Sequence, residues 1–170
     1  LSSGADGCRL DRADCRLGTR KQTAIVDSYS QRNHYQKTTM PTLAEFCQIE
    51  AKLKFTPIGG TATGFRVDVP FEGTATSSHW EGERKVAGVD VVRVGADGVQ
   101  ALEIRARIGE GADAVAYQAI GRGSDATGPQ ELIVFETANE DLAFLNSAIA
   151  VALGGMDGNK LSLTVSLITA

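Results

Sequence analysis

The chain has 170 residues and a formal net charge of −4 at pH 7, with 42% hydrophobic and 22% charged residues. This length suits one globular domain with a sizeable core, because a domain of this size buries roughly 70% of the surface of its unfolded chain. No apolar run approaches the ~20 residues of a membrane-spanning helix, which excludes an integral membrane protein with helical spans.

Charge is unevenly distributed along the chain. Residues 1–39 carry seven Lys/Arg and four Asp, whereas the remainder carries ten basic and seventeen acidic residues. An acidic body argues against nucleic acid as a partner, since phosphate binding needs a basic stripe that releases counterions. Residues 1–39 also lack sustained periodicity and the apolar core of a secretory signal. We interpret them as a flexible extension, either an upstream-start artefact or a regulatory arm, before a domain over 40–170.

The three cysteines, Cys8, Cys15 and Cys47, are an odd number, and two of them lie in the extension. A disulfide framework cannot then hold the domain together, so a reducing, cytoplasmic location is the simpler expectation. The spacing of Cys8 and Cys15 has no second pair of ligands of the kind that a structural zinc site uses. We therefore predict free thiols and no metal.

Strict alternation of apolar and polar residues begins near Phe46. One face of a first predicted strand carries Ile49, Ala51, Leu53 and Phe55. A second strand repeats the pattern with Phe65, Val67, Val69 and Phe71. A period of two is the pattern of a half-buried strand. Gly59-Gly60 predicts the turn between the two strands, and Pro70 predicts an edge or a bulge in the second.

Seven further strands are predicted at about 74–81, 86–94, 99–108, 114–122, 131–137, 148–153 and 160–169, with glycine-containing hairpin loops between several of them. Only Asn139–Ser147 is predicted to be helical, with Asn139 as the N-cap. The predicted fold class is all-β: a single antiparallel β-barrel of about eight or nine strands, with one short helix before the last two. A barrel is favoured over a sandwich, since closure removes exposed edges and leaves room for one small ligand.

The loop Gly95–Gly98 is predicted to fold two strands onto each other. If Gly95 faces Gly98, Asp90 lies opposite Glu103, and Arg105 is diagonal to Asp90 on the same face. Opposed carboxylates repel unless a cation neutralises one or a proton stays on the other, and such a set can shuttle a proton and stabilise an oxyanion. The alternative is a charged ladder on the outer surface. A loop one residue longer would place Asp90 opposite Ile104.

His79 and Trp80 end a run of small polar residues. His79 is a candidate general base because imidazole titrates near neutrality, although a lone His beside a turn is more often a surface residue. Trp80 is a candidate pocket wall. The chain has no Gly-x-Ser-x-Gly, His-Glu-x-x-His, Cys-x-x-Cys or Walker motif. We therefore predict no cofactor.

Short motifs follow one another from Phe46 to the C-terminus: Phe71-Glu72-Gly73, Gly88-Val89-Asp90, Asp97-Gly98-Val99, Leu102-Glu103-Ile104-Arg105, Phe135-Glu136-Thr137 and Phe144-Leu145-Asn146. In order and spacing they resemble the bacterial and fungal domain of unknown function 3237 family. The resemblance implies a lipocalin-like or allene-oxide-cyclase-like β-barrel, often met near small-molecule metabolism, with no activity established for the family as a whole. It also draws Asn146 into one pattern with Asp90, Glu103 and Arg105. A C-cap, or an anchor for the following strand, is the alternative role for Asn146.

Three functional interpretations remain open. The first is a cofactor-independent isomerase, cyclase or lyase for a hydrophobic carbonyl compound, with Asp90 or Glu103 moving a proton and Arg105 holding the oxyanion. The second is a carrier of a small hydrophobic molecule, whose pocket is lined by Phe71, Trp80, Tyr117 and Phe135. The third is a packed subunit whose apolar outer strands pair in a homodimer. The deciding observation is which face of strands 86–94 and 99–108 points inward.

Overall fold

The computed structural model describes residues 40–169, which contain nine strands. These are β1 Thr42–Leu53, β2 Thr56–Thr61, β3 Gly64–Thr76, β4 Glu83–Val94, β5 Gln100–Ile108, β6 Val115–Gly123, β7 Gln130–Thr137, β8 Ile149–Asp157 and β9 Lys160–Thr169. A single-turn 3-10 helix, Gly111–Asp113, precedes β6, and a longer 3-10 helix, Glu140–Ser147, precedes β8. The predicted extension over 1–39, with Cys8 and Cys15, lies outside the described residues.

Eight strands close into an antiparallel barrel. Neighbours follow in the order β1-β9-β8-β7-β6-β5-β4-β3, and β3 pairs back with β1. The ninth strand, β2, extends the sheet beside the first half of β3, while β1 pairs with the second half. The predicted all-β barrel, with a short helix before its last two strands, is confirmed.

The first hairpin differs from the sequence-based expectation. Gly59-Gly60 lies within β2 and not in a turn, and the chain turns instead at Ala62-Thr63. A separate strand at 74–81 is also wrong, because β3 runs without interruption to Thr76 and residues 77–82 form a loop. Pro70 lies where the neighbour of β3 changes from β2 to β1, a position that tolerates a missing backbone N–H.

Alternation along each strand decides which side chains face the barrel interior. On β6, the buried residues Val115, Tyr117 and Ala119 alternate with exposed ones. On β7, the buried residues are Glu131, Ile133 and Phe135, again with exposed residues between them. Burial of the apolar members of these rows supplies the main favourable term for closing the barrel.

The helix Glu140–Ser147 blocks one end of the barrel. The side-chain oxygen of Asn139 accepts the backbone N–H groups of Asp141 at 3.0 Å and Leu142 at 3.3 Å, as predicted for an N-cap. Leu142 and Leu145 are 1% and 0% exposed and belong to the core. Because the helix joins the end of β7 to the start of β8, it covers the end at which β7 finishes. Neither helix in residues 40–169 is long and apolar enough to cross a membrane.

Phe71 of β3 and Gly88 of β4 are opposite each other and leave no room for another methyl group. A Cβ at Gly88 would meet Ala106 Cβ and would lie 2.8 Å from Phe71 Cζ. Gly88→Ala is therefore expected to lower the free energy of unfolding by about 1–3 kcal/mol, as overpacking does, in urea denaturation. Gly155→Ala is the control, since a Cβ there meets no atom within 4 Å. Equal losses in the two variants would contradict this packing.

Candidate functional site

A cavity of about 610 Å³ occupies the part of the barrel away from the helix. Its wall is mostly apolar and includes Ile49, Val69, Phe71, Val92, Leu102, Ile104, Leu161 and Leu163. The exposed residues Asp125, Met156 and Gly158 also line it, so the cavity opens to solvent at the β6–β7 and β8–β9 loops. This volume is within the range of small-molecule sites. It weighs against the interpretation in which side chains fill the interior.

The register in which β4 pairs with β5 differs from the predicted one. The Gly95 N–H donates to the Val99 carbonyl at 2.9 Å, so the loop is one residue longer than predicted and Asp90 pairs with Ile104. Asp90 lines the cavity, while Glu103 and Arg105 are exposed on the outer surface. The predicted Asp90–Glu103–Arg105 face is wrong, because a shift of one residue moves every side chain of a strand to the other face.

The backbone of β5 holds Asp90 in the cavity wall. Pairing between β4 and β5 is interrupted after Asp90–Ile104 and resumes at Arg93–Ala101. In this gap the Glu103 N–H donates to Asp90 Oδ1 at 3.0 Å. Burial raises the pKa of Asp90 to about 6; the hydrogen bond opposes this rise, and the negative charge of Glu103 adds to it. Asp90 can therefore gain or lose a proton near neutral pH.

Glu131 of β7 is a second carboxyl group in the cavity, and it was not among the predicted residues. It is 8% exposed, and within residues 40–169 no hydrogen bond or ion pair reaches its carboxyl group. Burial raises the pKa of Glu131 to about 7, and the charge of Asp90 contributes to the rise. A Cβ at Gly121, the β6 partner of Glu131, would lie 3.1 Å from Glu131 Cγ. The glycine therefore leaves the space that this side chain occupies.

Alternation along β7 could have identified Glu131 from the sequence. It falls in phase with Ile133 and Phe135, the apolar face of the predicted strand 131–137. A carboxyl group in phase with buried apolar residues is either wrongly placed or functional, since an ionised group is seldom buried without a partner.

Tyr117 of β6 brings a phenol to the same cavity. Its ring is 4% exposed, and its centroid lies 6.5 Å from that of Phe135. Burial raises the pKa of Tyr117, and the charge of Glu131 is the next cause, so its hydroxyl group stays protonated and remains a hydrogen-bond donor. Of the predicted ligand-binding residues, Phe71 and Tyr117 line the cavity.

His79 and Trp80 lie outside the cavity, in the loop after β3. His79 is exposed, and the centroid of its ring lies 5.4 Å from that of Phe46. Trp80 is half-buried, with the Arg84 guanidinium 4.8 Å from its ring centroid. Because β3 ends at Thr76, the loop places both side chains away from the cavity lining, and Trp80 packs against the core beside Phe46 instead of forming a wall of this cavity.

Phe135 and Asn146 also lie away from the cavity lining. Phe135 packs in the core, with its ring centroid 5.7 Å from that of Phe46. Asn146 fixes the end of β7: its side-chain oxygen accepts the Thr137 N–H at 2.8 Å, and its amide nitrogen donates to the Thr137 carbonyl at 3.0 Å. Asn146 is therefore a structural anchor, but for the preceding strand and not for the following one.

In the described residues, 40–169, the cavity lining contains acidic side chains and no basic one. Its charged members are Asp90, Asp125 and Glu131. Arg105, predicted to supply a stabilising cation, lies outside this lining. Tyr117 and a protonated Glu131 are hydrogen-bond donors of the interior, and Gln100, Ser124 and Thr127 also line the cavity. Among residues 40–169, no three His, Cys, Asp or Glu side chains come together as metal ligands would.

No family model and no curated protein matches this chain. Several solved structures share its fold. A β-barrel-like protein from Acinetobacter baumannii is 16% identical with a TM-score of 0.68, and the match covers 79% of this chain and 99% of that one. A conserved protein of unknown function from Rhodopseudomonas palustris is 16% identical with a TM-score of 0.67, and the match covers 78% of this chain and 100% of that one. An enzyme from Penicillium herquei is 16% identical with a TM-score of 0.60, and the match covers 79% of this chain and 98% of that one.

The fold and the site thus define a class of protein. The chain is an eight-stranded antiparallel β-barrel with an internal, solvent-connected cavity. At these identities the similarity establishes the shared fold alone. The proteins that share it include two of unknown function and one described as an enzyme.

Proposed function

We propose that the cavity binds a small, largely apolar carbonyl compound and that Asp90 and Glu131 move a proton on it. The protein is then a cofactor-independent isomerase, cyclase or lyase. The observation that supports this is that two carboxyl groups share one apolar, solvent-connected cavity in which no Lys or Arg of residues 40–169 takes part. Burying such groups destabilises a fold, and sites that shift carboxyl pKa values in this way cluster where proteins carry out chemistry.

The two carboxyl groups have different roles. Asp90, with a pKa of about 6, is mostly ionised at neutral pH and takes a proton from the carbon beside the carbonyl group. Its Oδ1 already accepts the Glu103 N–H, so Oδ2 receives the proton. Glu131, with a pKa of about 7, is protonated in a large fraction of molecules. It donates a hydrogen bond to the carbonyl oxygen as electron density moves there.

Tyr117 supplies a second donor to the same oxygen. Where a double bond is conjugated with the enolate, return of the proton from Asp90 to the far carbon of that system shifts the double bond and yields an isomer. Expulsion of a leaving group or attack by the enolate carbon on an internal electrophile yields a lyase or cyclase outcome. All three outcomes begin with the same proton abstraction, which is the step that these side chains can perform.

The wider setting of the protein is also part of the proposal. We propose membership of the domain of unknown function 3237 family and a role in small-molecule metabolism, which the resemblance of the motifs supports. The enzyme from Penicillium herquei among the similar folds agrees with a catalytic role. A free, buried Cys47 suits the reducing environment of a cytoplasmic protein.

The alternative function is that of a carrier without chemistry. The apolar wall, with Phe71 and Tyr117 in it, supports this alternative equally well as a binding surface. The two alternatives differ in whether the bound molecule exchanges its protons.

Proton exchange on a panel of uncharged ketones in deuterated water, followed by NMR, tests the proposal. We expect the wild-type protein to accelerate deuterium incorporation beside the carbonyl group, and the double variant Asp90→Asn/Glu131→Gln to lose this acceleration. Glu136→Gln is the matched control, because Glu136 is an exposed carboxylate of the same strand as Glu131. Saturable ketone binding without exchange would contradict catalysis and favour the carrier.

A further inference from the structure

We infer that the cavity selects its ligand by charge, accepting uncharged molecules and excluding anions, with Asp125 acting as a filter at the entrance. This inference deepens the proposed function and relies on it for the reacting pair of carboxyl groups. It concerns binding, so it can fail or hold independently of catalysis.

The first support is the set of charges around the cavity. Asp90 and Glu131 line its interior, and Asp125 lines its mouth. Glu131 is more than nine-tenths buried and has no hydrogen-bond partner in the described chain. Together, the two interior carboxylates, roughly 6 Å from a bound anionic group, are expected to weaken its binding by about tenfold or more.

The second support is the position of the basic residues at this end of the barrel. Arg66 pairs with Asp68 at 2.8 Å and Arg93 with Glu103 at 3.8 Å, both outside the cavity lining. Arg122 donates to the carbonyl of Gly121 at 2.9 Å. Lys54 and Lys160, also at this end, are exposed and likewise lie outside the lining. Among residues 40–169 no basic side chain lines the cavity, so a ligand carboxylate, phosphate or sulfate inside it would meet no counterion from this part of the chain.

The loop that carries Asp125 is held in a defined turn. The Thr127 N–H donates to Ser124 Oγ at 3.2 Å, and the Gly128 N–H donates to the Ser124 carbonyl at 3.0 Å. Ser124 and Thr127 join Asp125 in the lining and offer neutral hydrogen-bonding groups. The entrance can therefore form hydrogen bonds with a hydroxyl, ketone or ester group of a ligand, whereas Asp125 repels a carboxylate. We therefore expect the substrates to be uncharged carbonyl compounds.

A pair of fluorescent probes with one skeleton tests the charge filter. Phenylnaphthylamine is uncharged, and anilinonaphthalene sulfonate adds a sulfonate group to the same rings. At about pH 8.5, where both cavity carboxyl groups are ionised, we expect the sulfonate to bind wild-type protein at least about tenfold more weakly. The ratio of the two affinities, neutral probe over sulfonate, should fall by about tenfold in the double variant Asp90→Asn/Glu131→Gln. It should fall by about two- to threefold in Asp125→Asn and stay unchanged in Glu136→Gln.

A second measurement needs no variant. Lowering the pH to about 5 protonates Glu131 and Asp90, so the wild-type protein should then bind the sulfonate more tightly relative to the neutral probe. Tyr117 of β6 lines the same cavity, and Cys47 of β1 lies near Tyr117. Glu103 of β5 lies near Asp90 but on the outer surface, and Asp125 lines the mouth. Neither Tyr117 nor Cys47, whose pKa burial raises to about 12, changes charge in this range.

Equal affinity of wild-type protein for the two probes would overturn the inference, as would an unchanged ratio in the double variant or at about pH 5. Absence of saturable binding by both probes would also overturn it, because the cavity would then not admit molecules of this size. Each of these results leaves the deuterium-exchange test standing. Absence of exchange by the wild-type protein, with its charge preference retained, would overturn the catalytic proposal alone.

Discussion

Replacing Asp90 by Asn is expected to reduce the rate of deuterium exchange by about a thousandfold, within the range that a positioned general base contributes. The asparagine keeps a side-chain oxygen that can accept the Glu103 N–H, now at 3.0 Å from Asp90 Oδ1. The variant therefore loses the basic oxygen while keeping the contact between β4 and β5. Initial rates of deuterium incorporation by NMR, with wild type and variant at equal concentration, measure the effect.

The pH profile separates the roles of the two carboxyl groups. The wild-type rate should rise with pH as Asp90 ionises through about 6 and fall as Glu131 loses its proton above about 7. Glu131→Gln should keep a neutral donor and lose the falling limb. A profile of Glu131→Gln that still falls above neutrality, or near wild-type exchange by Asp90→Asn, would contradict these roles.

The free energy of unfolding of the wild-type protein is expected to fall as the pH rises from about 4 to about 7.5. Burial raises the pKa of Asp90 from 3.8 to about 6 and that of Glu131 from 4.5 to about 7. Between the ordinary and the folded values the folded chain binds more protons than the unfolded chain, so a higher pH favours unfolding. Stability due to the protonated carboxyl groups is thus fully present below about pH 4 and lost through about pH 7.

Glu131→Gln removes about half of this dependence, because the pKa values of Asp90 and Glu131 are raised by similar amounts. At about pH 8 it should raise the free energy of unfolding by about 2–3 kcal/mol, and at about pH 4 it should have little effect. Urea denaturation followed by the fluorescence of Trp80, the one tryptophan of the chain, measures both values. The exposed carboxylate of Glu136 provides the control, and Glu136→Gln should leave the pH dependence in place. A Glu131→Gln protein less stable than wild type at about pH 8 would contradict the description of Glu131 as buried and unpartnered.

The barrel was predictable because its determinants are local. Alternation with a period of two marks the inward rows of β1, β6 and β7 wherever they occur in the chain, and glycines mark several of the loops between strands. The cap at Asn139 followed by acidic residues identified the helix that blocks one end. Each of these features depends on residues close together in the sequence, so it can be recognised before the fold is known.

The candidate site was less predictable because it depends on register. Both faces of β4 and β5 carry a mixture of apolar and charged residues, so the hydrophobic pattern does not distinguish the correct register from one shifted by one residue. The hydrogen bond from Gly95 to Val99 decides the register, and turn geometry of this kind is not encoded in hydrophobic periodicity. Glu131 lies in phase with the apolar residues Ile133 and Phe135, and alternation can place it inward but cannot show that it shares a cavity with Asp90.

Within residues 40–169, the helix Glu140–Ser147 closes the end of the barrel opposite the cavity mouth, with Leu142 and Leu145 buried beneath it. The cavity of this part of the chain is therefore closed at one end and open at the other. In the proposed reaction, substrate and product use the same opening in turn, so a product that leaves slowly competes with the next substrate. A long molecule enters such a cavity end first, and the group that reacts in the proposed chemistry then lies near one end of it.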